Sequence, residues 1–400
     1  MIIIILAIYQ KYKNNKKLFN DNYKPFTLVI VPAYNEWVVI INTLKNLLES
    51  DYIDNLEIIF VDDWSTDNTL QLAIDNFWLN SKIKIISQVN WWKSQALNNW
   101  IKNSKWEIII AQDADTLFQK DAISLLIRHF ENPKVGAVAG NVKVWNIHNL
   151  ISRCQAIEYM TSQNLDRRAF DVLNCITVVP LAIWARRKIA IDQAWWLNSD
   201  TLAEDSDLTV SILENWRKIE HEQDAIARTE APENISWFLK QRFRWMFGTL
   251  QVTWKHFDSI FSLKNPWLWR FALPNLFIFQ LVFPLLSPIL DLIWYINLII
   301  LTFHLFNNYS QTVISTNYNN FILYLIFLSI DWIITIITFS MEKEKNISLA
   351  LRFPIQKTLY RFLMYGIWLK VIYTAISWKW TWRNKLVRTW SLEITHQKNI

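Results

Sequence analysis

The chain has 400 residues, of which 52% are hydrophobic, with 41 Lys and Arg against 35 Asp and Glu for a formal net charge of +6. That length suffices for one domain of about 200–250 residues beside a membrane region, and two cysteines, Cys154 and Cys175, exclude a disulfide framework and a CxxC-type zinc site. The basic excess fits a flank against anionic lipid, and with no RNA- or DNA-binding motif in the chain nucleic acid is not an expected partner.

Residues 1–17 begin with a short apolar run, Met1 to Tyr9, followed by Lys11, Lys13, Lys16 and Lys17. The run is shorter than the roughly 20 residues that cross a bilayer, and its charge follows the apolar part, unlike a secretory signal. It is read as a membrane anchor, either the last turns of a transmembrane helix or an interfacial segment, with its lysines on the cytoplasmic side.

From Phe26 onward short β-rich apolar runs alternate with amphipathic stretches. The pattern predicts strands over 27–33, 56–62, 83–88, 107–111, 135–144 and 177–183. It predicts helices over 37–48, 68–77, 94–103, 122–130 and 208–214. Residues 18–265 are therefore expected to form an α/β, Rossmann-like domain with a mostly parallel sheet covered on both faces. Ligands of such sheets bind at the carboxyl ends of the strands.

Residues 266–378 read as a C-terminal α-helical transmembrane region, with apolar stretches at 271–306, 321–339 and 359–377. The first contains Pro274, Pro284 and Pro288, and the last contains Arg361 and Lys370. The segment 307–320 has no Lys or Arg and is placed outside. The loop with Lys343, Lys345, Arg352 and Lys357 is placed inside, together with a basic cytoplasmic tail over 379–400. An even number of crossings after the domain follows: either 359–377 lies in the interface or the proline-broken stretch holds a hairpin.

Composition also carries an anomaly: 4 Gly and 24 Trp. Average usage would give roughly 28 Gly in a chain of this length. Trp64 follows Asp62-Asp63 in a turn, Trp91-Trp92 and Trp195-Trp196 are adjacent pairs in expected loops, and Trp100 and Trp216 fall at expected helix ends. Such sites favour a residue without Cβ. The expectation is that most of these Trp mark UGA codons that the host reads as glycine, with Trp245 a genuine tryptophan.

Six motifs carry chemistry. Tyr34 and Glu36 close the first strand, where they either hold a nucleobase or simply open a helix. Asp62 and Asp63 end the second strand; they either accept from a uracil N3–H and a ribose hydroxyl or join a helix cap with Ser65 and Thr66. Lys93 follows Trp91-Trp92, and with glycine at both positions the loop, the helix N-terminus and the lysine would face phosphates. Asp113 and Asp115 put two hard oxygen ligands two residues apart behind Ile108-Ile109-Ile110, a spacing that suits Mg2+ or Mn2+ on a diphosphate. The cluster around Glu204 and Asp205 opens a helix, and Asp205 is chosen as the carboxylate base for an acceptor hydroxyl. Finally Gln241, Arg244 and Trp245 stand at i, i+3 and i+4, one helix face on which Trp can support a sugar while Gln and Arg contact a diphosphate.

On these residues the chain resembles the processive, membrane-bound family 2 glycosyltransferases, the group of cellulose, chitin, hyaluronan and poly-N-acetylglucosamine synthases. The wording of 136–142, of Gln163-Asn164-Leu165-Asp166-Arg167-Arg168 and of 241–251 is most similar to the bacterial poly-β-1,6-N-acetylglucosamine synthase branch. The resemblance implies a GT-A catalytic domain, a UDP-sugar donor, Mg2+ or Mn2+, and inversion at the anomeric carbon. It assigns the nucleotide pocket to Tyr34, Glu36, Asp63 and Lys93, the metal to Asp115 with Asp113 on the diphosphate, and the base to Asp205. Gln241, Arg244 and Trp245 take the acceptor and product end. The implied partners are the growing polysaccharide, the lipid bilayer of the plasma membrane and a small membrane subunit, with the catalytic domain cytoplasmic. Trp64, Trp91, Trp92, Trp100 and Leu181 depart from glycine-type positions of the family. The alternatives are a non-processive transferase acting on a lipid or protein, an inactive pseudoenzyme if those Trp are real, and a transporter or membrane scaffold on a degenerate nucleotide fold.

Overall fold

The computed structural model describes residues 2–20, 22–88, 93–261, 268–307, 311–343 and 346–377. Helix α1 (Ile2–Lys16) precedes an alternating series: β1 (Thr27–Ala33), α2 (Ile40–Leu48), β2 (Leu56–Asp62), α3 (Thr69–Phe77), β3 (Ile83–Ser87), α4 (Lys93–Asn103) and β4 (Ile108–Ala111). Next come β5 (Leu117–Phe118), α5 (Ala122–Ile127), β6 (Val135–Val144), α6 (Leu150–Glu158) and α7 (Leu165–Val172). The domain closes with β7 (Trp184–Arg187), α8 (Lys188–Gln193), α9 (Glu204–Glu214), β8 (Lys218–Thr229) and α10 (Ile235–Lys255). Three further long helices follow, α11 (Phe283–Asn307), α12 (Gln311–Met341) and α13 (Arg361–Ser377).

The eight strands of the described residues form one sheet in the order β3-β2-β1-β4-β7-β6-β8-β5. Strands β3, β2, β1 and β4 are mutually parallel, as are β6 and β8, whereas β7 runs antiparallel to both its neighbours and β5 to β8. Every residue of β1 is buried, and its period of two divides the apolar run between two cores. Val29, Val31 and Ala33 pack with Leu44, Leu47 and Phe60 on one face. Leu28 and Ile30 pack with Leu97, Ile101 and Ile109 on the other.

Two sequence expectations fail for physical reasons. The strand expected over 177–183 is instead a coil that ends in a turn, where the Ile183 N–H donates to the Pro180 carbonyl at 3.1 Å, and the strand begins only at Trp184. Pro180 has no N–H to give a ladder. Strand β8 was not expected, because its buried positions include Glu220, His221 and Glu222 in place of an apolar alternation. His129, fully buried, bridges Glu220 and Glu222, with Arg128 and Lys17 completing the pairing. Those ionic partners, more than 90 residues away, make an interior strand from a charged sequence.

Helix α1 docks on the domain: Gln10 donates to Asp171 Oδ2 (2.9 Å) and the His221 carbonyl (3.2 Å). At the far end of the chain, Glu342 follows α12 and is buried against Arg168, Lys143 and Asn141. The segments 283–303 and 321–341 are long and apolar enough to cross a membrane. Their faces expose residues such as Leu290, Phe303, Leu323 and Ile333. Helix α13 has 17 residues and carries Arg361 and Lys370. The proline-containing stretch is one continuous helical run over 268–307, with π-helical segments at Leu268–Ala272 and Leu276–Val282 ahead of α11, and it holds no hairpin. Residues 379–400 lie outside the described residues.

Among the described residues six non-glycine residues have φ in the left-handed region, and four are tryptophans: Trp64 (68°), Trp195 (61°), Trp196 (71°) and Trp216 (61°). Trp216 caps α9: its N–H donates to the Leu213 carbonyl and that of Arg217 to Ile212, the bonding pattern in which glycine is usual at this position. Trp195 stands likewise after α8. Trp100 corrects its expectation, since α4 continues to Asn103 and the indole packs within the helix against the core. Trp91 and Trp92 lie outside the described residues.

Candidate active site

The parallel strands deliver their acidic ends to one edge. Beyond β1, the Asn35 N–H donates to Ser65 Oγ (3.0 Å), Asn35 Oδ1 accepts from the Thr66 N–H (2.8 Å), and the Glu36 N–H donates to Thr69 Oγ1 (2.8 Å). These bonds tie the turn after β1 to the turn after β2. Ser65 and Thr66 are thus spent on Asn35, and the N–H of Thr69 at the start of α3 is held by Asp67 instead. Asp62 is buried; its Oδ2 accepts from the Ser65 N–H, while Oδ1 has no partner among the described residues. Asp63 accepts from Gln88 at 3.1 Å. A buried acceptor left open at a strand end is what a ligand donor would satisfy.

The turn after β4 is fixed from beneath. Gln112, fully buried, donates from its backbone to Ile30 and from its side chain to the Thr116 carbonyl, and Thr43 Oγ1 donates to the Ala114 carbonyl at 2.6 Å. With Ala114 pointing inward, Asp113 and Asp115 both face a cavity of about 960 Å³. Glu204, Asp205, Gln241, Arg244 and Trp245 line the same cavity. Tyr34, Glu36, Asp62 and Asp63 sit at the neighbouring strand ends but do not line it, and the Lys93 side chain lies outside what is described.

Helices α9 and α10 meet at close range, and the sequence reading missed why. Gly248 of α10 faces the start of α9, where a Cβ would stand 2.8 Å from the Ala203 nitrogen and Cβ. Gln251 Oε1 accepts from the Leu202 N–H at 2.9 Å. This contact brings Asp205 and Arg244 to one cavity, where the charge of Arg244 acts on the Asp205 carboxyl. The Asp205 carboxyl accepts from the Ser206 N–H (2.8 Å). Burial first, then Glu204, push its pKa above the usual carboxylate range, and the Ser206 N–H, Arg186 and Arg244 oppose that rise. A base with a raised pKa and an open cavity in front of it is suited to take a proton from a hydroxyl. The neighbouring Asp207 turns away, buried between His256 and Lys255 at 2.9 Å each.

Within α10, adjacent arginines diverge. Arg242 is buried, bound to Glu158 at 2.6 Å, and lies 4.4 Å from the Trp245 ring. Arg244 is exposed to the cavity and makes no ion pair among the described residues. Gln241 Oε1 is buried without a partner there. A π-helical turn, Tyr159–Asn164, joins α6 to α7 and brings Gln163, Asp166 and Arg167 to the cavity wall. Burial pushes the Asp166 carboxyl up to about 7. The cavity continues between the apolar helices past Ser287, Asp331, Lys357 and Arg361, where Lys357 pairs with Asp331 at 2.7 Å.

Two cavity-facing carboxylates fit a hard divalent cation. No group of three or more His, Cys, Asp or Glu converges among the described residues, so phosphate and water oxygens would complete the shell, as Mg2+ and Mn2+ accept.

A family model described as glycosyl transferase family 2 matches residues 28–191. Poly-beta-1,6-N-acetyl-D-glucosamine synthase of Staphylococcus epidermidis is 30% identical over 244 residues, covering 59% of this chain and 57% of that protein. The enzyme of that name from Staphylococcus aureus strain COL is 29% identical over 258 residues, covering 64% and 62%. The chain thus spans about three fifths of the length of these relatives. Among solved structures, a mannosyltransferase of Pyrobaculum calidifontis in complex with GDP-Man and Mn2+ superposes with a TM-score of 0.59 over 94% of both chains at 18% identity, which establishes a shared GT-A fold.

Proposed function

We propose that this chain, whose residues 28–191 carry a family 2 glycosyltransferase domain, is a membrane-bound inverting glycosyltransferase that extends a β-linked polysaccharide from a UDP-sugar, with UDP-N-acetylglucosamine as donor. The observation that carries the reading is the single cavity that begins at Asp113, Asp115, Asp205 and Arg244 and continues between the apolar helices. A donor site that opens into membrane helices suits a growing polymer better than a soluble acceptor. The product named for the staphylococcal relatives supports N-acetylglucosamine as the sugar.

Tyr34, Glu36, Asp62 and Asp63 receive the nucleoside at the strand ends, with the open Asp62 oxygen taking a base or ribose donor. Asp113 and Asp115 would hold Mg2+ or Mn2+, which supplies positive charge to the diphosphate when bound. Trp245 offers its ring to the acceptor sugar and Gln241 an open acceptor oxygen. Asp205 accepts the proton of the acceptor hydroxyl as its oxygen bonds to C1 of the donor. The C1–O bond on the opposite side breaks, and its electron pair leaves with UDP beside Arg244. The spans 283–303 and 321–341 hold this machinery at the cytoplasmic face of the plasma membrane.

The test is UDP release by membranes carrying the protein, with UDP-N-acetylglucosamine, UDP-glucose and UDP-glucuronate as donors. Release is expected with UDP-N-acetylglucosamine and is lost in Asp205→Asn while UDP binding persists. Release that survives Asp205→Asn would overturn the base assignment. A product one sugar longer than its acceptor would overturn the polymerase reading in favour of single transfer.

A further inference from the structure

Arg186 lies in the middle of the sheet, paired with Ile109 on β4 and Ala137 on β6, and its side chain runs beneath the first turn of α9. It is fully buried. One nitrogen, Nη2, donates to the Asp205 carbonyl (3.2 Å), Thr209 Oγ1 (3.0 Å) and the Val179 carbonyl (3.4 Å). Nε and Nη1 are buried without a partner among the described residues, and the guanidinium stacks 4.4 Å from the Trp184 ring.

Stability does not account for this placement. A buried, incompletely bonded cation is costly, and the start of a helix is where the backbone dipole disfavours positive charge. The carboxylate whose charge acts on Arg186 is that of Asp205, the residue whose backbone carbonyl Nη2 holds. The ionisable groups around Asp205 are Glu204 on its own turn, Arg244 from α10, Arg167 from α7 and Arg186 from β7. Glu204 repels its charge. Arg244 is exposed and without an ion pair among the described residues, so it is available to an incoming diphosphate, whereas Arg186 is fixed by a strand and three acceptors.

We propose that Arg186 is the positioning cation of the base: it pins the Asp205 backbone from below and keeps the carboxylate charged once the donor has engaged Arg244. This rests on Asp205 being the base. The experiment is the pH profile of UDP release, with UDP affinity measured alongside, for Arg186→Met, Arg186→Lys and Asp205→Asn. Arg186→Met is expected to lower turnover at least tenfold, to move the acid limb upward by about one pH unit, and to leave donor KM within about twofold. Arg186→Lys retains the charge but cannot reach all three acceptors, so turnover falls while the acid limb stays at its wild-type position. A wild-type acid limb in Arg186→Met that still binds UDP would overturn the proposal. Should that variant not fold, Arg186→Lys decides: wild-type turnover, or an acid limb displaced upward, overturns it. Asp205→Asn separates the two levels. If it still releases UDP, the base assignment has failed; if it is inactive and the Arg186 results are negative, only the role of Arg186 has failed.

Discussion

Replacing Trp64, Trp195 and Trp216 with glycine is expected to stabilise the protein, although each change deletes the largest side chain available. The reason lies in the backbone. These residues hold φ at 68°, 61° and 61°, where a Cβ costs about 1–2 kcal/mol. Glycine gives back about 0.5–1 kcal/mol through the greater freedom of the unfolded chain. The lost side chains contribute little, being 54%, 80% and 65% exposed. A net gain of about 0.7 kcal/mol per site makes about 2 kcal/mol for the triple variant. For a domain of this size that raises the melting temperature by about 4–8 °C. Trp184 is the control: it is fully buried in β7, and its replacement with glycine should cost about 3–5 kcal/mol. Thermal unfolding of the purified, detergent-solubilised variants measures both. A triple variant that melts at or below the parent temperature would refute the strain argument. On the expectation that the host reads UGA as glycine, the left-handed backbone marks the positions where that glycine would stand. Peptide mass spectrometry of protein isolated from that host should read glycine at 64, 195, 196 and 216, and tryptophan at 184 and 245. Tryptophan at the four left-handed sites would sink UGA recoding without touching the strain.

Gly248→Ala places a methyl group 2.8 Å from the Ala203 nitrogen, so α9 must move away from α10 and carry Asp205 from Arg244. A shift of about 1 Å is expected to reduce turnover on the order of 100-fold with UDP binding retained, and unchanged turnover would show that the close contact does not set the site. Burial opposes charge on His256, but hydrogen bonds and charge from Asp207 and Glu214 outweigh it and raise its pKa to about 9. A raised histidine stabilises the folded state fully below about pH 6.5, and the contribution is lost as pH rises through about 9. The loss is on the order of 3 kcal/mol, and His256→Gln should remove that alkaline dependence from denaturant unfolding measured between about pH 6 and about pH 10. A variant with the parent's slope would show that His256 is not the titrating group.

The parts of this molecule that were legible in its sequence are those where chemistry restricts residue type. An apolar run such as Ile108-Ile109-Ile110 locates a strand end, so the placement of Asp113 and Asp115 just beyond it was legible, and both face the cavity. The same holds for Asp205 at a helix start and for Gln241, Arg244 and Trp245 on one helix face, all of which reach the cavity. Strand β8 was not legible, because Glu220 and Glu222 are interior only when His129 arrives from another element. Arg186 and Gly248 share that property. Arg186 is unremarkable in a strand until α9 crosses over it, and Gly248 is one more helix residue until Ala203 rests on it. The motif residues touch the substrate in the proposed reaction, while these two fix the distances between them. The first set is constrained by the reaction, the second by how remote segments pack. Exchanging a motif carboxylate therefore asks whether a group is needed at all, whereas Gly248→Ala and Arg186→Lys ask where it must stand. If placement carries a large share of the rate, these two variants should lose turnover at unchanged donor affinity while every motif residue remains in the chain.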